Sequence, residues 1–454
     1  MKTIAAIATA QAAAGIGIVR ISGDKAIEIA DKVFITASGE PLSSRGGYSA
    51  ALGNVYDGET KIDKAIALLF RAPKSYTGEN VVELSGHGGP YVMSRILRAV
   101  LNAGAEPASP GEFTKRAFLN GKLDLSEAEA VMSVIGAKGE AGHMAALNAL
   151  MGNISRKISE TAASLTQICA HLAVWADYPE EDIKELSDES LITSLTSIKH
   201  DLFNLIDSFD AGKAVIDGIE TVIAGKPNVG KSTLLNLLSG SEKAIVTPQA
   251  GTTRDIIEET VRIGNVTLKL ADTAGIHENI SSEAEKIGVE KAVLRMERAP
   301  FVIIVLEGLE RITKSEEELL KKASKKKNLV AINKTDLGIK LDIDKVKKYT
   351  ENIVYISAKS GEGLTEFIAE VENILGTADF DSSEPVLITE RQRKLVKTAH
   401  ECVSEALEAI EMGMTRDAVN ISLDGAVNAL LELTGEKASV AVVDELFKSF
   451  CVGK

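Results

Sequence analysis

Residues Gly225-Lys226-Pro227-Asn228-Val229-Gly230-Lys231-Ser232 have the types and spacing to hold a polyphosphate. They fit the pattern G-x-x-x-x-G-K-[ST]. Glycines let the backbone wrap the anion, amides at a helix N-terminus point at it, and the helix dipole favours its charge. Lys231 is placed to reach the β- and γ-phosphates and Ser232 to ligate Mg²⁺, with Val229, Gly230 and Thr233 completing the cradle. The four fixed positions recur by chance in roughly one chain in fifty of this length, so the flanks decide. Thr221-Val222-Ile223-Ala224 reads as a buried strand running into the loop, and Thr233 to Leu238 as a helix leaving it.

Three more motifs follow, each after an apolar run. Asp272-Thr273-Ala274-Gly275 closes Leu268 to Ala271; its Asp suits water-mediated contact with Mg²⁺ and its Gly offers an amide to the γ-phosphate. Asn333-Lys334-Thr335-Asp336 closes Leu329 to Ile332. An Asp there accepts two hydrogen bonds from guanine, at the ring N–H and the exocyclic amine. Adenine lacks that donor pair and would leave the carboxylate desolvated and unpaired. Ser357-Ala358-Lys359 closes Ile353 to Ile356 and completes a base pocket. Four motifs in this order imply a GTP-binding P-loop domain that hydrolyses its nucleotide.

Many such enzymes orient the attacking water with a Gln after the Asp-Thr-Ala-Gly run. Here Ile276 stands there and cannot do so. Glu285 is the candidate to polarise water; the alternative is a solvated Glu at a helix end. No Arg lies in the P-loop, but Asn228 offers a hard, neutral amide oxygen suited to an alkali cation. The stretch Thr247-Pro248-Gln249-Ala250-Gly251-Thr252-Thr253-Arg254-Asp255 could fold over it and add carbonyls. A K⁺ ion would then replace an arginine's charge. Thr253 is the natural switch ligand for Mg²⁺.

The chain has 454 residues, 45% of them hydrophobic and 26% charged, the profile of a soluble protein of two to four domains. No apolar run approaches the roughly 20 residues of a membrane span. Three scattered cysteines, Cys169, Cys402 and Cys451, suit a reducing cytoplasm. A net charge of −14 excludes nucleic-acid binding over the whole surface, so any RNA contact is local or shared with a partner. Lys321, Lys322, Lys325, Lys326 and Lys327 form the densest basic cluster and, following Glu316 to Glu318, read as one solvated helix face.

The texture divides the chain into residues 1–118, mixed strand and helix; 119–214, helical; 215–378, alternating strand and helix; and 379–454, helical again. Strands are expected at Ile16 to Ile21, Lys64 to Phe70 and Val81 to Leu84, and a helix at Tyr91 to Leu101. Leu191, Leu195, Ile198, Leu202, Leu205 and Phe209 mark one helix face, and Leu395, Ala399, Cys402 and Ala406 another. Neither helical block is large enough to fold alone; the simplest packing joins them, with the P-loop domain inserted between. Asp379 to Pro385 reads as the linker leaving that domain.

Four further stretches carry a family resemblance: Ile18-Val19-Arg20-Ile21-Ser22-Gly23; Ser75-Tyr76-Thr77-Gly78-Glu79 with Val82-Glu83-Leu84-Ser85-Gly86-His87-Gly88-Gly89-Pro90; Pro110-Gly111-Glu112-Phe113-Thr114 through Arg116 to Leu125; and Phe450-Cys451-Val452-Gly453-Lys454. From end to end the chain resembles the MnmE (TrmE) family of tRNA-modification GTPases. The resemblance implies an α+β, tetrahydrofolate-binding-like N-terminal domain that forms the homodimer. It also implies a helical domain carrying an inserted Ras-like α/β G domain. Arg20, Glu83, Lys122 and Lys454 would contact 5-formyltetrahydrofolate; Arg20 and the lysines suit carboxylates and Glu83 suits pterin donors. Asn228, Thr247, Gln249 and Thr252 would hold K⁺, Ser232 and Thr253 Mg²⁺, and Glu285 would activate water.

A flavoprotein partner of the MnmG/GidA type, bearing FAD, would join in a heterotetramer that modifies the wobble uridine of tRNA at C5. Cys451 is the candidate nucleophile in that chemistry, against the alternative of a passive thiol near the terminus. The family usually carries a Pro-Gly-Arg-Gly-Gly run where this chain has Ala10-Gln11-Ala12-Ala13-Ala14-Gly15, which puts local folate contacts in question. A competing reading is a ribosome-assembly or other regulatory GTPase that binds RNA without modifying it; the folate-like N-terminal stretches and the Cys451 to Lys454 motif argue against it.

Overall fold

The structure, a computed structural model, describes residues 2–177, 187–241, 259–270 and 296–453. Among them, one compact unit joins the residues up to Ala128 to those from Leu431 onward, and a second gathers those between Glu129 and Leu430.

The first unit is built on a seven-stranded sheet of β1 (Ile4–Ile7), β2 (Ala14–Ser22), β3 (Phe34–Thr36), β4 (Ser49–Asp57), β5 (Thr60–Phe70), β6 (Val81–Gly88) and β7 (Glu106–Pro107), in the order β3-β4-β5-β6-β2-β1-β7. All neighbours are antiparallel except β1 and β7. Side chains alternate as the strand period requires. Val19, Ile21, Val82 and Leu84 are buried against helices Ala26–Val33 and Pro90–Asn102. Arg20 and Glu83, paired across β2 and β6, turn to the opposite face. Pro90 stands in the helix's first turn, where its missing N–H costs nothing. That helix buries Met93, Ile96, Ala99 and Val100. Gly17 permits its approach, since a Cβ there would collide with the Met93 sulfur.

In the same unit, helix Glu112–Leu119 packs on the C-terminal helix Val440–Lys448. Phe118 and Phe447 rings lie 6.5 Å apart and Lys115 Nζ meets Asp444 Oδ1 at 2.6 Å. Gly111, at φ +67, leads into the first of these helices with the Phe447 carbonyl 2.6 Å from where a Cβ would sit.

The second unit holds a six-stranded sheet of β8 (Ile219–Ala224), β9 (Glu259–Ile263), β10 (Val266–Leu270), β11 (Phe301–Glu307), β12 (Lys327–Asn333) and β13 (Ile353–Tyr355), ordered β13-β12-β11-β8-β10-β9. Only β9 runs antiparallel to its neighbour. Phe301 to Leu306 are all buried, as expected of a parallel strand covered on both faces. Ligands of such sheets bind beyond the carboxyl ends of the strands. The loops after β8, β12 and β13, which carry three of the four motifs, emerge there.

Helix Glu390–Glu411 packs against helix Asp188–Asp207, with the Phe203 and His400 rings 6.2 Å apart. Its buried stripe is Val396, Ala399, Val403, Ala406 and Ile410. Leu395 and Cys402, expected to be buried, sit half-exposed at its margin. Asp379 to Pro385 is no loose linker. Asn148 Nδ2 donates to the Ser382 carbonyl at 2.7 Å, Phe380 packs into the core, and Val386, Leu387 and Ile388 are buried directly after it. Thr389 then caps helix Glu390–Glu411 by accepting from the Gln392 amide. The basic cluster also differs from its expectation. Lys326 Nζ donates to the carbonyls of Met296, Glu297 and Ala299, closing a helix end, and Lys327 begins β12. Among the described residues no helix is long and apolar enough to cross a membrane.

Glu129 pins the start of helix Glu390–Glu411. It is buried and accepts from Arg391 Nε at 2.8 Å and Nη2 at 3.0 Å, from Gln392 Nε2 at 2.7 Å and from Thr389 Oγ1 at 3.3 Å. Removing one partner of a buried charge pair costs about 3–5 kcal/mol. Glu129→Ala is therefore expected to lower the urea midpoint of the helical transition followed by circular dichroism, with Glu129→Gln losing less.

Candidate functional site

The phosphate loop joins β8 to helix Lys231–Ser241 in a shape that few residues tolerate. Gly225, Asn228 and Gly230 have φ of +152, +63 and +97. Glycine is required at both ends: a Cβ on Gly225 would strike the Val305 carbonyl, and one on Gly230 the Asn333 amide. Asn228, left-handed without being glycine, stands exposed at the tip. Lys231 Nζ donates to the carbonyls of Gly225 at 2.8 Å and Lys226 at 2.6 Å, and burial lowers its pKa from the usual lysine value. Ser232 is half-buried in the first helical turn and Thr233 is exposed beside it.

Asn333 ties this loop to the base pocket. It is 2% exposed; its Nδ2 donates to the Val229 carbonyl at 2.8 Å and its Oδ1 accepts from the Ala358 amide at 2.9 Å. One side chain thus fixes both the phosphate loop and the Ser357-Ala358-Lys359 turn. Ser357 is buried and accepts from the Ser360 amide, while Lys359 is exposed. Lys334, at φ +63, spans Asn333 and Asp336 with its ammonium 2.7 Å from Glu307 Oε2. Asp336 lies in a 3-10 turn with its carboxylate exposed, available to a base.

One tie was not visible in the motif. Lys226 Nζ lies 3.0 Å from Glu316 Oε2 and 3.4 Å from Glu310 Oε2. Burial works to lower its pKa, but the hydrogen bonds and charges of these two carboxylates outweigh that and raise it. The expected ligands Thr247, Pro248, Gln249, Ala250, Gly251, Thr252 and Thr253, the Asp272, Thr273, Ala274 and Gly275 run, and Glu285 lie outside the described residues. Among the described residues, no cluster of three or more His, Cys, Asp or Glu could hold a metal ion.

The first unit carries a second cluster. Arg20 Nε meets Glu83 Oε1 at 2.8 Å, and its guanidinium lies 5.5 Å from the centres of both the Tyr76 and Phe113 rings. Arg20 Nη1 donates to the Gly453 carbonyl at 3.3 Å, so the C-terminal motif docks here. Gly453 is buried at φ +99, with no room for a Cβ beside the Ile7 carbonyl. The Gly111 amide donates to the Cys451 carbonyl at 3.3 Å. Beneath lies a network that the sequence reading missed: buried Arg116 pairs with Glu79 at 3.0 Å and Glu112 at 2.8 Å, and Glu79 accepts from Ser22 at 2.7 Å. Lys122 is exposed and its stem would lie 3.4 Å from a Cβ on Gly78; Lys454 lies outside the described residues.

The cysteines differ sharply. Burial, with Asp424 beside it, pushes the Cys169 thiol up to about 11, and burial raises Cys402 as well. Cys451 is exposed. Iodoacetamide at pH 8 is expected to alkylate Cys451 well before Cys169, read by peptide mass spectrometry. Asn333→Ala leaves the Val229 carbonyl and Ala358 amide without their partner. Guanine-nucleotide affinity is expected to fall by about 1–3 kcal/mol, measured with a fluorescent nucleotide.

Residues 125–451 match the family model of the MnmE helical domain, and residues 3–122 that of the GTP-binding protein TrmE N-terminus. The tRNA modification GTPase MnmE of Clostridioides difficile (strain 630) is 40% identical over 455 residues, spanning 100% of this chain and 99% of that one. The tRNA modification GTPase MnmE of Acetivibrio thermocellus is 39% identical over 457 residues, again spanning 100% and 99%. A solved G domain of the T. maritima FeoB iron transporter is 25% identical, spanning 34% of this chain and 98% of its own, with a TM-score of 0.25. The phosphate loop, the base pocket and similarity along the whole length lead to one assignment: the chain belongs to the MnmE (TrmE) family of tRNA modification GTPases.

Proposed function

We propose that this GTPase acts in tRNA modification at C5 of the wobble uridine, together with an FAD flavoprotein, using a one-carbon unit carried by 5-formyltetrahydrofolate. The observation that carries the reading is the pairing, in one chain, of a guanine-nucleotide site with the Arg20–Glu83 cluster on which the Gly453 segment docks. Full-length similarity to the named tRNA modification GTPases supports the substrate class. The regulatory-GTPase alternative leaves the Arg20 cluster without a purpose.

The nucleotide site fits its ligands. Ser232 offers a hydroxyl to Mg²⁺ in the first helical turn, and the exposed Asn228 offers an amide oxygen to K⁺. K⁺ held there would supply positive charge that offsets the charge developing on the phosphates. Lys231 exchanges its carbonyl partners for phosphate oxygens, Asp336 reads guanine, and Glu285 orients water. Thr247, Gln249 and Thr252 would join Asn228 in holding K⁺, and Thr253 would join Ser232 in holding Mg²⁺.

The Arg20 cluster fits a ligand bearing both carboxylate and pterin. Arg20 and Lys122 supply cationic donors, Lys454 a third, and Glu83 keeps one oxygen beyond its bond to Arg20 for amino-pyrimidine donors. Cys451 is the thiol available to the modification step. We further infer a homodimer formed through residues 1–118, a heterotetramer with the MnmG/GidA-type flavoprotein, and action in the cytoplasm.

A mass-spectrometric nucleoside profile of tRNA from cells lacking this protein tests the reading: the C5-modified wobble uridine is expected to disappear, and an unchanged profile overturns it. Asp336→Asn is expected to shift preference from GTP toward xanthosine triphosphate, measured by competition binding. Hydrolysis is expected to run faster in K⁺ than in Na⁺ at equal ionic strength, with Asn228→Ala losing most of the difference. Arg20→Ala or Glu83→Ala is expected to weaken 5-formyltetrahydrofolate binding by about 1.5–3 kcal/mol in calorimetry.

A further inference from the structure

We propose that Lys226 is a positioning residue for GTP binding: anchored by Glu316, it holds the phosphate loop in its binding shape while Lys231 changes partners. The loop carries strain at Asn228, a non-glycine residue held in the left-handed region at φ +63. Two sets of contacts from outside the loop oppose that strain. One is Asn333 on the Val229 carbonyl. The other is Lys226, whose ammonium is gripped by Glu316 and Glu310 at 3.0 and 3.4 Å.

Within the loop, Lys231 bridges the Gly225 and Lys226 carbonyls. That bridge is consumed when the ammonium turns to a phosphate, so it cannot hold the first half of the loop in the bound state. The Lys226–Glu316 tie uses side-chain atoms that the exchange does not touch. It survives the exchange and keeps the Lys226 carbonyl where Lys231 left it.

Glu316 is built for this. It is 4% exposed, and its Oε2 accepts from the Thr313 amide at 2.9 Å and the Thr313 hydroxyl at 2.8 Å as the capping box of helix Lys314–Ala323. A carboxylate this buried needs a cation, and Lys226 supplies it. In turn the two carboxylates neutralise Lys226, so it does not compete with Lys231 for phosphate. Glu310 is largely exposed and adds a screened contribution.

The test measures GDP and GTP affinity with fluorescent nucleotides, and kcat at saturating GTP, on the full chain. Lys226→Met and Glu316→Gln are each expected to weaken both nucleotides about tenfold, the loss of one charge-assisted contact. The two substitutions combined are expected to be no worse than either alone, and kcat to stay within about twofold. Lys226→Arg is expected to restore affinity, because guanidinium can span both carboxylates. Thr313→Ala removes the hydroxyl bond to Glu316 Oε2 but leaves the Thr313 amide bond and the Lys226–Glu316 pair, so affinity is expected to fall clearly less than in Lys226→Met. Unchanged affinity in Lys226→Met, additive losses in the double variant, or equal weakening by Thr313→Ala would each overturn the proposal. Thermal melts of Lys226→Arg and Thr313→Ala, both expected to fold, keep it falsifiable if Lys226→Met does not.

Discussion

The nucleotide site depends on a single buried amide. Asn333 ends β12 and reaches sideways to two loops that begin on other strands, donating to one and accepting from the other. An Asp could not donate to the Val229 carbonyl, and an aliphatic residue would leave both backbone groups unpaired in a dry interior. Gly230 follows from the same constraint, since any side chain there would occupy the amide's position. The parallel sheet sets the spacing: β8, β12 and β13 end on one side, so their loops come within reach of one side chain.

The Arg20 cluster applies different physics to a similar problem. Here a cation lies 5.5 Å from two aromatic ring centres and pairs with a carboxylate, while its Nη1 donates to the Gly453 carbonyl. Below it, Arg116 and Glu79 form a second ion pair with little access to water. Such pairs contribute modestly to net stability but are costly to leave half-made. They therefore define one arrangement of the Ser75 to Glu79 turn and helix Glu112–Leu119 against β2.

Much of this was readable in the residues themselves. The phosphate loop, Asp336 and the Ser357 turn are local: a few residues suffice because the backbone next to them does the binding. The strands around them were legible because β8, β12 and β13 are short apolar runs ended by motif residues. What escaped was long-range. Nothing near Lys226 points to a carboxylate 90 positions away, and nothing near Glu129 points to Arg391. The stripe on helix Glu390–Glu411 was displaced because Leu395 and Cys402 each adjoin a valine, and composition alone does not choose between adjacent apolar positions. Lys326 looked like one more surface charge; its three carbonyl partners belong to a helix end 27–30 residues upstream.

The segment leaving the G domain shows how a boundary in sequence differs from a boundary in mechanics. Asp379 to Pro385 is polar and turn-rich, yet Phe380 is packed, Ser382 is tethered, and Leu387 follows with its side chain fully buried. A flexible tether would let the nucleotide-binding module rotate freely and dissipate any displacement. A packed one fixes the end of the module against the first turn of helix Glu390–Glu411. The same packing means that this module was not merely threaded into a helical scaffold. Host and guest share a core, so transplanting the module into another scaffold would require carrying the seam along with it.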